Sequence, residues 1–313
     1  MDSFAPLIGQ TQAVELLKQA VAKDRIAPAY LFVGSPGIGR SLTARCFIEL
    51  LFSHNNKDIP VVKSKIEKRN HPDLLWVEPS YQHQGKLFSA KEAAEKGLKR
   101  KAPPITRLEQ IRQITEFLSR PPLEAQRNIV VLEQAETMAE SAANALLKTL
   151  EEPGKATLIL IAPTPDSILT TLVSRCQKIP FYCLDTAAMS QVLALSGNSE
   201  VLNHPTVLSI AAGSPGKAIE AYQQMQNIPL DLLRSCIQAP KTYRSALELA
   251  KQVDKELDNE TQLWLVDYLQ QSYWQNSRQP SIIQQLEKTR KALLCYAQPR
   301  LVWECMFLSL VVN

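Results

Sequence analysis

Gly34-Ser35-Pro36-Gly37-Ile38-Gly39-Arg40-Ser41 decides the fold of this 313-residue chain. The stretch has the spacing of a phosphate-binding loop, with arginine where such a loop carries lysine. Before it, Ala29-Tyr30-Leu31-Phe32-Val33 reads as a buried strand; after it, Leu42-Thr43-Ala44-Arg45-Cys46-Phe47-Ile48 reads as the start of a helix. Glycines let the backbone turn so that several N–H groups point inward, and a helix N-terminus adds partial positive charge. Phosphate oxygens could sit in such a cradle. A guanidinium is a wide planar fork and does not substitute freely for a compact ammonium there. The loop therefore poses a choice between a working nucleotide site and the retained fold of one.

Outward from the loop, apolar residues at 14, 16, 17 and 21 give Gln10 to Lys23 near-helical spacing. A second helix is expected from about Ser41 to His54, and Lys57 to Asn70 reads as a polar, basic connection. Leu74-Leu75-Trp76-Val77, Asn128-Ile129-Val130-Val131-Leu132, Ala156 to Ala162 and Gln177-Lys178-Ile179-Pro180-Phe181 read as further strands. Helices are expected at Leu108 to Leu118 and Ser141 to Glu152. Residues 80–104 read as a polar insertion ending in Lys96, Lys99, Arg100, Lys101 and Pro103-Pro104. Such a run is usually a solvated loop; contact with a phosphate backbone is the sharper reading. Buried strands alternating with helices imply a parallel sheet covered on both faces. After Cys183 the strand signal ends, and helical pattern continues, broken at Pro205, Gly213-Ser214-Pro215-Gly216, Pro229, Pro240, Pro280 and Pro299.

Composition adds limits. Some 45% hydrophobic and 21% charged residues suit a globular protein, and a net charge of +4 permits an acidic partner without requiring one. The six cysteines, at 46, 176, 183, 236, 295 and 305, form no C-x-x-C pair. That spacing suggests neither zinc nor a disulfide framework, and mostly buried reduced thiols are expected, Cys46, Cys176 and Cys183 among them. No run of apolar residues is long enough to cross a membrane, and no basic-then-apolar leader opens the chain, so a cytoplasmic protein is expected. Trp264, Trp274 and Trp303 read as core or interface anchors of the helical part.

Other features follow the loop in order. Glu133-Gln134 follows the strand ending at Leu132, where an ATPase of this kind places Asp-Glu. Asn144-Ala145-Leu146-Leu147-Lys148-Thr149-Leu150-Glu151-Glu152-Pro153 comes next, then a strand reaching Thr164, then Ser174-Arg175-Cys176. With these residues the chain resembles the bacterial clamp-loader family of AAA+ proteins. Ile8-Gly9-Gln10, Ala29-Tyr30-Leu31-Phe32 and His71-Pro72-Asp73 are similar to it as well. The likeness is dense over residues 1–182 and thinner over Gly213 to Lys217 and beyond; the insertion ending at Pro104 resembles cyanobacterial members in style.

The resemblance implies an α/β AAA+ P-loop domain (1–182) with a parallel sheet flanked by helices, a helical lid (183–226) and an all-α C-terminal collar (227–313). It implies a subunit that helps load a sliding clamp on primed DNA during replication, inside a DNA-directed DNA polymerase holoenzyme. Its partners would be the other clamp-loader subunits, gamma/tau and delta, and through them the clamp and primed DNA, with no membrane. The implied nucleotide site comprises Gly34, Gly37, Gly39, Arg40, Ser41, Glu133, the sensor Thr164 and the second sensor Lys217. Without the resemblance, Thr164 would be a strand cap and Lys217 a helix-surface lysine.

Departures from the family pattern weigh against hydrolysis at this site. In hydrolysing members the lysine contacts β- and γ-phosphates, and the Asp-Glu pair serves magnesium and water. Arg40, Glu133 and Gln134 stand there instead. Gln134 is neutral, and Glu133 carries its carboxylate one methylene further out than magnesium geometry favours. Ser41 remains, which leaves weak ATP or ADP binding open. Residues 47–70 hold no cysteine, so the family's four-cysteine zinc module is not carried over and no metal is expected. Arg175 keeps the position from which the family reaches a neighbouring subunit's ATP as an arginine finger; alone it would read as a surface salt-bridge partner. An ATP-hydrolysing motor of the same fold and a DNA-binding scaffold using the basic insertion are the alternatives.

Overall fold

The computed structural model describes residues 2–312 apart from 54–58, 84, 97–102, 152–153, 277 and 296. The sharper reading of Lys99, Arg100 and Lys101, contact with a phosphate backbone, therefore lies outside the described residues, as do Glu152 and Pro153. The described residues form two compact units, Met1–Cys183 and Leu184–Asn313.

The first unit runs α1 (Thr11–Ala22), β1 (Ala29–Val33), α2 (Arg40–Ser53), α3 (Ile59–Glu67), β2 (Leu74–Val77), β3 (Ser80–His83), β4 (Lys86–Ser89), α4 (Ala90–Glu95), α5 (Leu108–Ser119), β5 (Asn128–Leu132), α6 (Glu140–Glu151), β6 (Ala156–Ala162), α7 (Thr170–Val173) and β7 (Gln177–Pro180). Five strands pair in parallel in the order β2-β5-β6-β1-β7. Alternate residues feed opposite faces, as the pleat requires. Tyr30, Phe32, Ile129, Val131, Ile159 and Ile161 pack on one side with α1, α2 and α3. Leu31, Val130, Leu132, Leu158 and Leu160 pack on the other with α5 and α6. Each such aliphatic side chain contributes about 1.5–3 kcal/mol on full burial, which is why these strands read as unbroken apolar runs.

Two expectations need correction. The stretch read as a connection, Lys57 to Asn70, contains α3; Val62 and Ile66, one turn apart, are buried there while the lysines between them face outward. The 80–104 insertion is not one solvated loop. It holds the antiparallel pair β3–β4, turned at Gly85 with φ +77°, and then α4, whose Ala93 is fully buried. Lys96 lies with its ammonium 4.4 Å from the Phe88 ring.

The second unit is helical: α8 (Thr186–Leu195), α9 (Pro205–Ala211), α10 (Pro215–Gln226), α11 (Leu230–Gln238), α12 (Tyr243–Glu256), α13 (Asn259–Asn276), α14 (Pro280–Leu294) and α15 (Pro299–Val312). The prolines mark starts: Pro205, Pro215, Pro280 and Pro299 open helices, where the missing N–H costs nothing. Asp185 caps α8 by accepting from the Ala188 N–H, and Ser214 caps α10 at the Lys217 N–H. One apolar core runs from Leu184 to Phe307. Trp303 lies at its centre and donates to Gln262 Oε1 at 2.9 Å, whereas Trp274 is half exposed. The cysteines also differ from expectation. Cys46 and Cys236 are buried, but Cys183, Cys295 and Cys305 are exposed. Cys183 faces out because the chain turns Phe181 and Leu184 inward on either side of it.

Candidate functional site

The loop leaves β1 at Gly34, whose N–H donates to the Ala162 carbonyl at the end of β6. Gly37 and Gly39 take φ of +78° and +101°, backbone that suits glycine. The Gly39 carbonyl then accepts from the Thr43 N–H at 2.8 Å and its hydroxyl at 2.9 Å, starting α2. Buried Gln10 braces the turn: its Nε2 donates to the carbonyls of Ile38 and Tyr182, at 3.2 and 2.7 Å, and its Oε1 accepts from the Tyr182 N–H. Ile8-Gly9-Gln10 thus acts as a strut under the loop.

Side chains at this end of the sheet are less hospitable. Arg40 is partly buried, and its Nη1 is buried with no hydrogen-bond partner among the described residues. Burial lowers the guanidinium pKa, opposed by the nearby carboxylates of Glu136 and Glu133. Glu136 mirrors it: Oε2 is buried without a partner among the described residues, and burial raises the carboxyl pKa against the pull of Arg40. The sequence alone does not mark Glu136, since it lies in a single 3₁₀ turn, Ala135–Thr137, that no periodicity signals. Glu133 closes β5 with its N–H on the Val77 carbonyl, and Gln134 beyond it is exposed in left-handed backbone, φ +47°. Ser41 is half-buried, and Thr164 is exposed at the end of β6, capping the turn Pro165–Ser167 with its carbonyl. Lys217, in the first turn of α10, belongs to the second unit.

Arg175 stands elsewhere, in the turn between α7 and β7. Its side chain is 41% exposed; Nη1 donates to the Thr171 carbonyl at 3.0 Å and Nη2 to Glu151 Oε1 at 3.2 Å. Ser174 shares the Thr171 carbonyl through its hydroxyl, also at 3.0 Å. Cys176 packs inward beneath them, its thiol pushed up to about 11 by burial. The three residues of Ser174-Arg175-Cys176 therefore divide their roles. Ser174 fixes the turn, Arg175 faces outward and Cys176 anchors the segment to the core.

His71-Pro72-Asp73 serves the far end of the sheet. Asp73, fully buried, accepts from the N–H groups of Leu123, Glu124 and Ala125 at 2.6–2.7 Å. His71 packs on the Phe52 ring, and its Nδ1 accepts from the Asp73 N–H.

The family described as "DNA polymerase III, delta subunit" matches residues 9–185, and "Cyanobacterial DNA polymerase III delta prime, C-terminal domain" matches residues 187–310. The chain belongs to the DNA polymerase III delta-subunit family. Among relatives, the DNA polymerase III subunit delta' of Bacillus subtilis is 33% identical over 223 residues, covering 70% of this chain and 60% of that one. The subunit tau/gamma of Haemophilus influenzae is 26% identical over 222 residues, 68% of this chain and 29% of that one. This delta-family chain thus spans less than two thirds of those relatives' lengths. A solved DNA polymerase III gamma subunit-related protein from Thermotoga maritima aligns with a TM-score of 0.58 at 15% identity, covering 96% of this chain and 99% of that one. That likeness concerns the fold alone, a parallel sheet flanked by helices followed by helices. No helix among the described residues is long and apolar enough to cross a membrane.

Proposed function

We propose that this chain is the delta-prime subunit of a clamp loader, a cytoplasmic stator that hydrolyses no ATP itself and lends Arg175 to an ATP bound by an adjacent subunit. The observation that carries the reading is the contrast between two arginines. Arg40 is turned inward among its own carboxylates, whereas Arg175 is held facing solvent. The residues around the loop do not suit magnesium triphosphate. Arg40 stands where the lysine would reach the β- and γ-phosphates, and Glu133-Gln134 replaces the Asp-Glu pair that serves magnesium and water. Gln134 cannot take a proton from water, so no hydrolytic step is assigned here.

Arg175 would act across a subunit boundary. Its guanidinium can offer parallel N–H groups to phosphoryl oxygens as charge accumulates on them. A finger of this kind supplies about 10³–10⁵ in rate. The partners proposed are gamma/tau and delta subunits, with the sliding clamp and primed DNA reached through them; the delta' and tau/gamma names of the relatives support this assignment. No structural zinc is proposed.

The test is ATP turnover by the reconstituted assembly. Arg175→Ala is expected to lower it by orders of magnitude without unfolding this subunit, and unchanged turnover would remove the finger role. The isolated chain is expected to show no turnover, and Arg40→Lys alone to restore none, because Glu136 and Gln134 remain. Steady turnover of the wild-type chain that disappears in Ser41→Ala would refute the stator reading.

A further inference from the structure

We propose that Glu151 is the positioning residue for Arg175, gripping its guanidinium from the chain side so that the outer edge is aimed before any phosphate arrives. The inference rests on the reading of Arg175 as a finger for a neighbour's ATP and adds to it a residue that controls its aim.

Glu151 ends α6, and Arg175 follows α7, 24 residues later. Leu146 and Leu150 of α6 share an apolar core with Leu172 of α7, so the two backbones are fixed relative to each other. Two anchors then meet one guanidinium. Glu151 Oε1 accepts from Nη2 at 3.2 Å, and the Thr171 carbonyl accepts from Nη1 at 3.0 Å. A guanidinium has five N–H groups. With two engaged by the chain, Nε–H and one N–H on each terminal nitrogen stay available to a ligand. The grip and the delivery therefore use different hydrogens, and Glu151 need not let go for Arg175 to act.

The pair is a poor candidate for a stability device. Both side chains are about half exposed, at 41% and 57%, and exposed ion pairs contribute little. Two other exposed arginine pairs, Arg120–Glu116 and Arg244–Glu248, span only four residues of chain, while Arg290–Asp267 joins α14 to α13. Arg175–Glu151 likewise joins two elements, and it adds a backbone anchor on the same guanidinium. What such an arrangement does supply is order: a long side chain immobilised in advance does not have to be frozen when the ligand binds.

The test compares wild type, Glu151→Ala, Glu151→Gln, Arg175→Ala and the Glu151→Ala/Arg175→Ala double variant in the reconstituted assembly, following kcat and KM for ATP, with thermal unfolding of each subunit alongside. Glu151→Ala is expected to lower kcat about two- to tenfold, the scale of immobilising one such side chain, with KM unchanged. Glu151→Gln, whose amide oxygen still accepts, is expected to keep most of the rate. In the Arg175→Ala background the loss of Glu151 should add nothing, and raising salt should narrow the gap between wild type and Glu151→Ala, because salt screens the pair. If Arg175→Ala is impaired while both Glu151 variants match wild type, the positioning role falls and the finger stands. If Arg175→Ala is unimpaired, both fall. A further loss in the double variant would place Glu151's effect elsewhere and overturn the proposal.

Discussion

Gly34 and Phe181 meet across the space that a side chain at residue 34 would occupy. A Cβ on Gly34 would lie 2.6 Å from the Phe181 carbonyl oxygen and 2.9 Å from the Phe181 Cβ. Both obstacles are fixed by backbone, since the Phe181 N–H donates to the Val33 carbonyl at 2.8 Å. Gly34→Ala is therefore expected to destabilise the first unit by about 1–3 kcal/mol, the usual cost of overpacking. Urea unfolding measures it, and a midpoint equal to wild type would show that the loop can shift at no cost.

Asp73 receives three backbone N–H groups from residues 123–125 on its two carboxylate oxygens. Asp73→Asn replaces one oxygen by an amino group that faces N–H donors. Hydrogen bonds to a charged group contribute about 1.5–3 kcal/mol each, so a loss of about 3 kcal/mol is expected. Faster amide exchange at Leu123, Glu124 and Ala125 should accompany it. Retained exchange protection at those three amides would count against the clasp.

His71 gives the fold a dependence on acid. Burial lowers its pKa from the ordinary 6.5, opposed by Asp73 and Glu124. The unfolded chain therefore takes up a proton at a higher pH than the folded chain. Stability from this group is complete above 6.5 and is lost as pH falls through the lower folded value, with a slope of at most about 1.4 kcal/mol per pH unit. His71→Asn should flatten the fall of the melting temperature below pH 6.5. A parallel curve for the variant would assign the slope to other groups.

Helix α9 ends at Ala212 in left-handed backbone, φ +47° and ψ +46°. That conformation costs an L-residue about 1–2 kcal/mol. Glycine avoids the steric term but loses more freedom on folding, so Ala212→Gly is expected to stabilise by about 0.5–1 kcal/mol. Thermal unfolding decides it, and a lowered midpoint would contradict the assigned cap.

The inner strands are legible in the sequence because the sheet is covered there on both faces, so that nothing polar interrupts Leu158 to Ala162 or Ile129 to Leu132, whereas the edge strand β7 exposes Gln177 and Lys178. Helix α3 is hidden for the opposite reason: it buries only Val62 and Ile66 among lysines. The β3–β4 pair has no apolar alternation, and its short strands are half exposed. The site divides along similar lines. The loop and Ser174-Arg175-Cys176 are local motifs, readable as such. Glu136 opposite Arg40, and Glu151 beside Arg175, depend on which side chains the fold brings together, and no spacing along the chain records that. His71-Pro72-Asp73 is visible as a motif, but its clasp on residues 123–125 lies 50 to 52 residues away.

The sheet order carries a consequence for synthesis. Among the described residues β1 pairs only with β6 and β7, Ala29 opposite Leu158 and Tyr30 opposite both Ile159 and Gln177. During translation this apolar segment waits unpaired until Leu158 and the residues after it have left the ribosome. Pairing at such separation is slow, and the exposed edge is prone to aggregate meanwhile. Until β6 is made, β1 is therefore an apolar ribbon with no neighbour on either edge.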